Sequence, residues 1–232
     1  MDIKLHDRTI AGLSATCVAA IVLLFVIFAT TGGGQDYWQI ARSSNALAAF
    51  VQEGGTRLVG TRLSFGIDNI FIVLYSSLFI LLRARLAALL GPCLLNIGLG
   101  ALLLTAFLDA AENQHILAII QAMQNGLAVS ETSSQVQMAL SLLKFESSCL
   151  GVLLFSFAFV RIGGAGVAVA LVFWLYILAC AAIAMTPAEA LRPLLLFRTS
   201  CFVAAFASIG LLFSTWPNTV AGAISRREAA LA

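Results

Sequence analysis

The sequence predicts an all-α protein: a polytopic bundle of six transmembrane helices, with a short amphipathic surface helix after the first span. Of the 232 residues, 61% are hydrophobic and only 10% are charged, whereas soluble domains carry about 25% charged residues. Six apolar stretches are each long enough to cross a hydrocarbon core about 30 Å thick. Glycine, proline or charged residues separate these stretches, as expected at the ends of membrane helices.

Charge and cysteine usage exclude several classes of protein. The formal net charge is +2 and no run of Lys or Arg is present, so a nucleic-acid partner is not expected. None of the cysteines is spaced as C-x-x-C, so the sequence predicts neither a zinc site nor a disulfide framework. All five lie inside apolar stretches, where we interpret them as small packing residues; they are Cys17, Cys93, Cys149, Cys180 and Cys201.

We predict one membrane domain over residues 1–232. Its first apolar stretch is 23 residues long, which exceeds the apolar core of about 7–15 residues in a signal peptide and therefore favours a membrane span. The predicted spans are residues 9–31, 62–83, 88–121, 137–160, 165–185 and 191–214. The breaks between the later spans are Gly91-Pro92, Asn125-Gly126, Gly163-Gly164 and Thr186-Pro187. The tail after residue 214 is predicted to fray.

The loop over residues 35–60 follows the break at Gly32-Gly33-Gly34 and is the longest polar segment. Its apolar residues fall on one helical face, and Tyr37 and Trp38 stand at its start. This pattern predicts an amphipathic helix on the membrane surface. The helix is either a connector that covers one end of the bundle or a lid over a site.

The candidate binding residues centre on residues 108–116, at the end of the third span. Asp109, Glu112 and Asn113 are spaced i, i+3, i+4, which places them on one face of a helix. Carboxylates in a membrane helix are costly unless they have partners. Polar residues of other spans are the expected partners, namely Asp68 and Asn69 of the second span, Lys144 and Glu146 of the fourth, and Arg198 of the sixth.

The distribution of Lys and Arg predicts the orientation. With six spans, both termini lie on one side, and that side carries seven basic residues against four on the other. The positive-inside rule therefore places both termini in the cytoplasm. In this orientation the ionisable residues of the spans fall in the outer half of the bilayer. Short loops and the absence of sorting motifs favour the inner membrane of a bacterium.

The charge balance of the candidate residues suggests a function. Four acidic residues face two basic ones, so we expect the cluster to bind protons or a cation, the cation at Asp68, Asp109 and Glu112. The first hypothesis is a proton- or cation-linked small-solute transporter or binding protein. A second is a structural or accessory subunit of a membrane complex, in which the ion pairs only fix helix packing.

A third hypothesis is a membrane-embedded enzyme that acts on lipid at the outer leaflet, with Lys144 and Ser148 as a dyad one turn apart. The sequence identifies no catalytic residue, because no G-x-S-x-G or H-E-x-x-H motif is present. No cofactor and no dedicated metal site is predicted. The expected partners are the lipid bilayer and either further copies of the chain or other subunits of a membrane complex.

Overall fold

The computed structural model describes residues 3–34, 44–186 and 190–230, with the side chains of residues 44–48 left out. These residues form helices joined by short turns and contain no strand. The described helices are α1 (Ile3–Thr31), α2 (Ser44–Glu53), α3 (Gly55–Leu90), α4 (Pro92–Gln124), α5 (Glu131–Val160), α6 (Gly164–Met185), α7 (Leu191–Thr215) and α8 (Pro217–Ala229). The predicted all-α fold class is confirmed.

Six helices, α1 and α3 to α7, are long and apolar enough to cross a membrane. Large apolar side chains point outward along them, and Phe107, Val73 and Leu178 are 69%, 64% and 63% exposed. Exposed apolar surface on this scale is unfavourable in water and is the expected surface of a protein dissolved in lipid. The chain is therefore an integral membrane protein with six candidate spans.

The helices differ from the predicted spans mainly at their ends. Hydropathy identifies only the part of a helix that lies in hydrocarbon, whereas the polar residues that flank this part continue the same helix. For this reason α1 already begins at Ile3, and α3 extends from Gly55 to Leu90. Residues 55–60 therefore belong to α3 and not to the amphipathic segment. Residues 35–43 of that segment lie outside the described residues. The predicted fraying after residue 214 is wrong, because Pro217 begins the 13-residue helix α8.

The helices divide into two compact units. Unit 1 comprises Met1–Ala19, Leu74–Leu104 and Glu146–Ala232, and unit 2 comprises Ala20–Val73 and Thr105–Phe145. The two are described separately below. The assignment of the whole chain to one domain stays a prediction.

Unit 2 has an apolar core shared by α2, α3 and α4. Its buried members are Phe50, Val51, Leu58, Phe65, Ile116, Ile119 and Ile120. The end of α1 packs tightly on the start of α3, because a Cβ added at Gly60 would lie 2.5 Å from Cβ of Thr31. These contacts hold α3 and α4 side by side in unit 2 and fix which of their faces meet.

Polar contacts link the helices of unit 1. Trp174 Nε1 of α6 donates to Ser156 Oγ of α5 at 2.8 Å. A buried ion pair ties the start of α1 to the end of α3: Arg85 Nε and Nη2 donate to the two carboxylate oxygens of Asp7 at 2.7 and 3.2 Å. Neither side chain of this pair is more than 9% exposed.

Candidate functional site

Three polar stripes, one each on α3, α4 and α5, lie buried in unit 2. Each stripe repeats at helical spacing, so its members point in the same direction from their helix. The stripes consist of Thr61, Ser64 and Asp68 on α3; Thr105, Asp109, Glu112 and Asn113 on α4; and Ser134, Gln137, Ser141 and Lys144 on α5. All of these residues have less than 9% of their surface exposed.

Lys144 is the centre of the resulting network. Its Nζ donates to Asp109 Oδ1 at 2.8 Å and also forms a salt bridge with Glu112. The side chains of Lys144, Asp109 and Glu112 are 5%, 11% and 0% exposed. Asp109 and Glu112 are one turn apart on α4, so one ammonium group from α5 bridges both. The predicted contact between Asp109 and Lys144 is present.

Glu112 accepts hydrogen bonds on both carboxylate oxygens. Gln137 Nε2 donates to Oε1 at 2.9 Å, Ser141 Oγ donates to the same oxygen, and Lys144 bonds to Oε2. All three donors come from one face of α5, because positions 137, 141 and 144 follow helical spacing. Three donors, one of them cationic, therefore converge on a single buried carboxyl group.

Asn113 connects the network to α3. Its Nδ2 donates to Asp68 Oδ2 at 2.7 Å and to Asn69 Oδ1 at 3.1 Å. The charged groups that act on Asp68 are Asp109, Glu112 and Lys144. We call the eight residues Asp68, Asn69, Asp109, Glu112, Asn113, Gln137, Ser141 and Lys144 the acid–lysine cluster.

Two of the predicted binding residues are outside this cluster. Glu146 is exposed on α5, at about 200° from Lys144 around a helix that turns 100° per residue. Arg198 is buried on α7 and belongs to unit 1, where Tyr176, Cys149 and Cys180 lie near its guanidinium group. Both residues belong to unit 1, so their membership of one site with the acid–lysine cluster stays a prediction.

Several buried hydroxyl groups of the stripes were not identified from the sequence. Within the part of the chain that the structure describes, three buried side-chain oxygens of the stripes have no hydrogen-bond partner. They are the hydroxyl oxygens of Ser64 and Ser134 and the amide oxygen of Gln137. Buried polar atoms of this kind are normally satisfied by ordered water. The spacing of Thr61, Ser64 and Asp68 along α3 was the signal in the sequence that would have identified this stripe.

His115 extends the polar contacts between α4 and α5. Its Nε2 lies 3.0 Å from the carbonyl oxygen of Ser133 and 3.3 Å from the Ser133 hydroxyl. The residue is partly buried and lies one turn beyond Glu112 on α4. It therefore borders the acid–lysine cluster on the side where α4 ends and α5 begins.

Comparison with protein-family models, with curated proteins and with solved structures finds no match. What the chain does must therefore be inferred from the site itself.

The chemistry that the cluster supports follows from its charges. Among the residues of unit 2 that the structure describes, the buried charged ones are three carboxylates, Asp68, Asp109 and Glu112, and one ammonium group, that of Lys144. An excess of two negative charges is costly in a medium of low dielectric constant, so the cluster favours the uptake of positive charge. The ammonium group already lies between the two acids of α4. Among the described residues, no group of three or more His, Cys, Asp or Glu side chains is arranged to hold a metal ion.

The proposed dyad of Lys144 and Ser148 can be compared with the observed contacts. The Ser148 hydroxyl lies 2.5 Å from the Tyr176 hydroxyl, and Lys144 is ion-paired with two acids. A lysine acts as a general base only in its neutral form, and two carboxylate partners favour the charged form. The observed geometry gives Lys144 the role of a counter-ion.

Proposed function

We propose that this protein is a proton-linked membrane carrier in which the acid–lysine cluster takes up and releases protons. The observation that supports this proposal is the charge balance among the described residues of unit 2: three buried carboxylates and one buried ammonium group, which pairs with Asp109 and Glu112. Ionisable groups that face the interior of a membrane protein commonly form proton relays and ion sites. A proton is favoured over a metal ion here, because Lys144 already bridges the carboxylates that would serve as ligands for a metal.

Within the cluster, Asp68 is the group proposed to bind the proton. Glu112 accepts three hydrogen bonds and Asp109 is paired with the ammonium group, so the donors of α5 act on these two carboxyl groups. Asp68 accepts a hydrogen bond from the neutral amide of Asn113, and the negative charges of Asp109 and Glu112 act on it as well as the positive charge of Lys144. Binding of a proton there halves the excess negative charge of the cluster.

The direct test is infrared spectroscopy of the full chain in lipid nanodiscs. A protonated carboxylic acid has a carbonyl stretching band that an ionised carboxylate lacks. We expect such a band at neutral pH, its loss in Asp68→Asn, and its retention in Glu228→Gln, which removes an exposed carboxylate from α8. A parent protein without this band would contradict the assignment of the proton.

Carrier activity needs a separate measurement. Liposomes that contain the purified protein and an internal pH indicator are subjected to an electrical potential, and the rate of internal acidification is recorded. We expect faster acidification than in protein-free liposomes, an effect that Asp68→Asn abolishes and Glu228→Gln leaves unchanged. If Asp68 is protonated but proton flux matches that of empty liposomes, with candidate solutes present or absent, the carrier proposal fails.

A second candidate function is a structural or accessory subunit of a membrane complex. The observation that favours it is the completeness of the hydrogen bonding around Glu112, which has no exposed surface. Buried charged networks can specify which helices pack together. Absence of the protonated carboxyl band, together with purification of the chain in a stable hetero-oligomer, would favour this function over the carrier.

A further inference from the structure

Unit 1 contains a polar group of its own, built around Tyr176 on α6. The Tyr176 hydroxyl lies 2.5 Å from the Ser148 hydroxyl of α5, and the Tyr176 ring packs on Phe202 of α7 with their centroids 4.5 Å apart. Tyr176 is 2% exposed. One side chain therefore contacts both neighbouring helices and fixes which of their residues lie at the same level.

This register brings two cysteines together. Cys149 follows Ser148 directly on α5, and Cys180 lies one turn after Tyr176 on α6. The two thiols lie close enough to act on each other, and Cys180 also lies near the Tyr176 hydroxyl. Both cysteines are partly exposed, whereas Cys17 and Cys201 are buried. The two thiols are thus paired across a helix interface and remain accessible from outside the unit.

Arg198 provides positive charge beside the pair. It lies one turn before Phe202 on α7, so the contact of Phe202 with Tyr176 places it beside the thiols. Its guanidinium group acts electrostatically on Cys149 and on Cys180. Reactive cysteines characteristically lie in electropositive, partly exposed surroundings, whereas structural cysteines are fully buried and inert. The surroundings of this pair are of the reactive kind.

We propose that Cys149 and Cys180 form a reversible dithiol–disulfide pair whose oxidant is a lipid-soluble quinone. In the oxidation, the two S–H bonds break and one S–S bond forms. The two electrons and two protons released reduce the quinone to a quinol, so atoms and electrons balance. The disulfide covalently links α5 to α6, and a thiol reductant reverses the step by thiol–disulfide exchange, in which the reductant is oxidised to its own disulfide.

The position of the pair favours a quinone as the oxidant. Both cysteines lie within helices that are candidate membrane spans, so a lipid-soluble molecule reaches them more readily than a water-soluble one. Phe202, which packs on the buried Tyr176 and is stacked with the buried Phe206 at an interplanar angle of 8°, is itself partly exposed. Stacking on aromatic side chains is a favourable mode of binding for a planar ring.

A soft metal ion such as Cu(I) is the other species that two thiolates bind. The guanidinium group of Arg198 argues against it, because a fixed positive charge beside the thiols repels a cation and attracts a thiolate. The experiment below distinguishes the two.

The test uses the full chain in nanodiscs, reduced and then incubated without oxygen with a short-chain ubiquinone. Free thiols are alkylated after denaturation, and the peptides are mapped by mass spectrometry while quinol formation is followed by absorbance. We expect a Cys149–Cys180 disulfide and one quinol for each disulfide. Cys149→Ser should abolish quinol formation, whereas Cys93→Ser, which removes an exposed cysteine, should leave it unchanged.

Three results would overturn the proposal. The first is alkylation of both cysteines in the parent protein after exposure to the quinone. The second is a disulfide that joins Cys201, which lies near Cys180, to either member of the pair. The third is a combined result: the quinone does not oxidise the protein, and the protein binds Cu(I) stoichiometrically in a way that depends on Cys149 and Cys180. The first two are read from the parent protein, so they decide the question even if Cys149→Ser does not fold.

Discussion

Replacement of Lys144 by methionine provides the sharpest test of the acid–lysine cluster. Methionine keeps most of the volume of the lysine alkyl chain but removes the ammonium group that bonds to Asp109 and Glu112. Loss of one partner from a buried ion pair costs about 3–5 kcal/mol, because the remaining charge is left buried without compensation. Here two carboxylates lose their counter-ion, so we expect Lys144→Met to lower the free energy of unfolding by about 5 kcal/mol.

The same reasoning predicts that the loss can be compensated. In the triple variant Lys144→Met, Asp109→Asn, Glu112→Gln, every charge of the ion-paired group is gone, and Gln137 and Ser141 still have an oxygen at position 112 to which they can donate. Replacement of a whole buried ion pair by neutral groups is often neutral or stabilising. The triple variant is therefore expected to recover most of the stability lost in Lys144→Met.

The assay is equilibrium unfolding of the purified chain in mixed micelles, with increasing SDS and detection by circular dichroism. Arg226→Met is the matched control, because it removes a positive charge that is exposed on α8 and should change stability by less than about 0.5 kcal/mol. A Lys144→Met variant as stable as Arg226→Met would show that the buried charges do not depend on Lys144. A triple variant as unstable as Lys144→Met would show that the lost ion pair is not the cause.

Two further predictions use the same unfolding assay. Gly60→Ala should destabilise the protein by about 1–3 kcal/mol through overpacking against Thr31. The control is Gly66→Ala in the same helix, where an added Cβ meets nothing within 4 Å; it should be neutral or stabilise the protein by up to about 1 kcal/mol. If both variants changed the stability equally, the close approach of α1 to α3 would be contradicted. Arg85→Met should cost about 3 kcal/mol because it leaves the buried Asp7 carboxylate without its partner. Asp7→Asn in the same chain should restore most of that stability, and strictly additive losses would refute the pairing.

The sequence carried most of the information about the fold. Apolar stretches of about 20 residues indicate spans because hydrocarbon satisfies no backbone hydrogen bond, and the six stretches correspond to the six long apolar helices. The ends of the helices were harder to predict from hydropathy, since residues outside the apolar stretches, such as 55–60 and 131–136, are also helical. The tail was misjudged for the same reason, because a polar composition does not prevent the formation of α8.

The candidate site could be predicted only in part. The cost of charge in hydrocarbon implied that Asp109 and Glu112 have partners, and the spacing on α5 identified Lys144 as one of them. Neither argument determines helix neighbours, so whether Arg198, which lies in unit 1, takes part in one site with these residues stays a prediction. The pairing of Cys149 with Cys180 depends on the register between α5 and α6, which the spacing of the cysteines along the chain does not encode.

The length of α3 has a consequence for how the protein is anchored. Its 36 residues extend about 54 Å at 1.5 Å per residue, far more than a bilayer core requires. Arg62 and Arg83 enclose the 20-residue apolar part of this helix, and each hydrogen-bonds to α4: Arg62 to Gln124 at 2.6 Å and Arg83 to Asn96 at 2.7 Å. Because 20 residues match the thickness of a hydrocarbon core, we expect both arginines to lie at headgroup level, where each bond to α4 resists sliding and tilting of its end of the hairpin. We therefore expect these two anchors to set the depth of Asp68 in the bilayer.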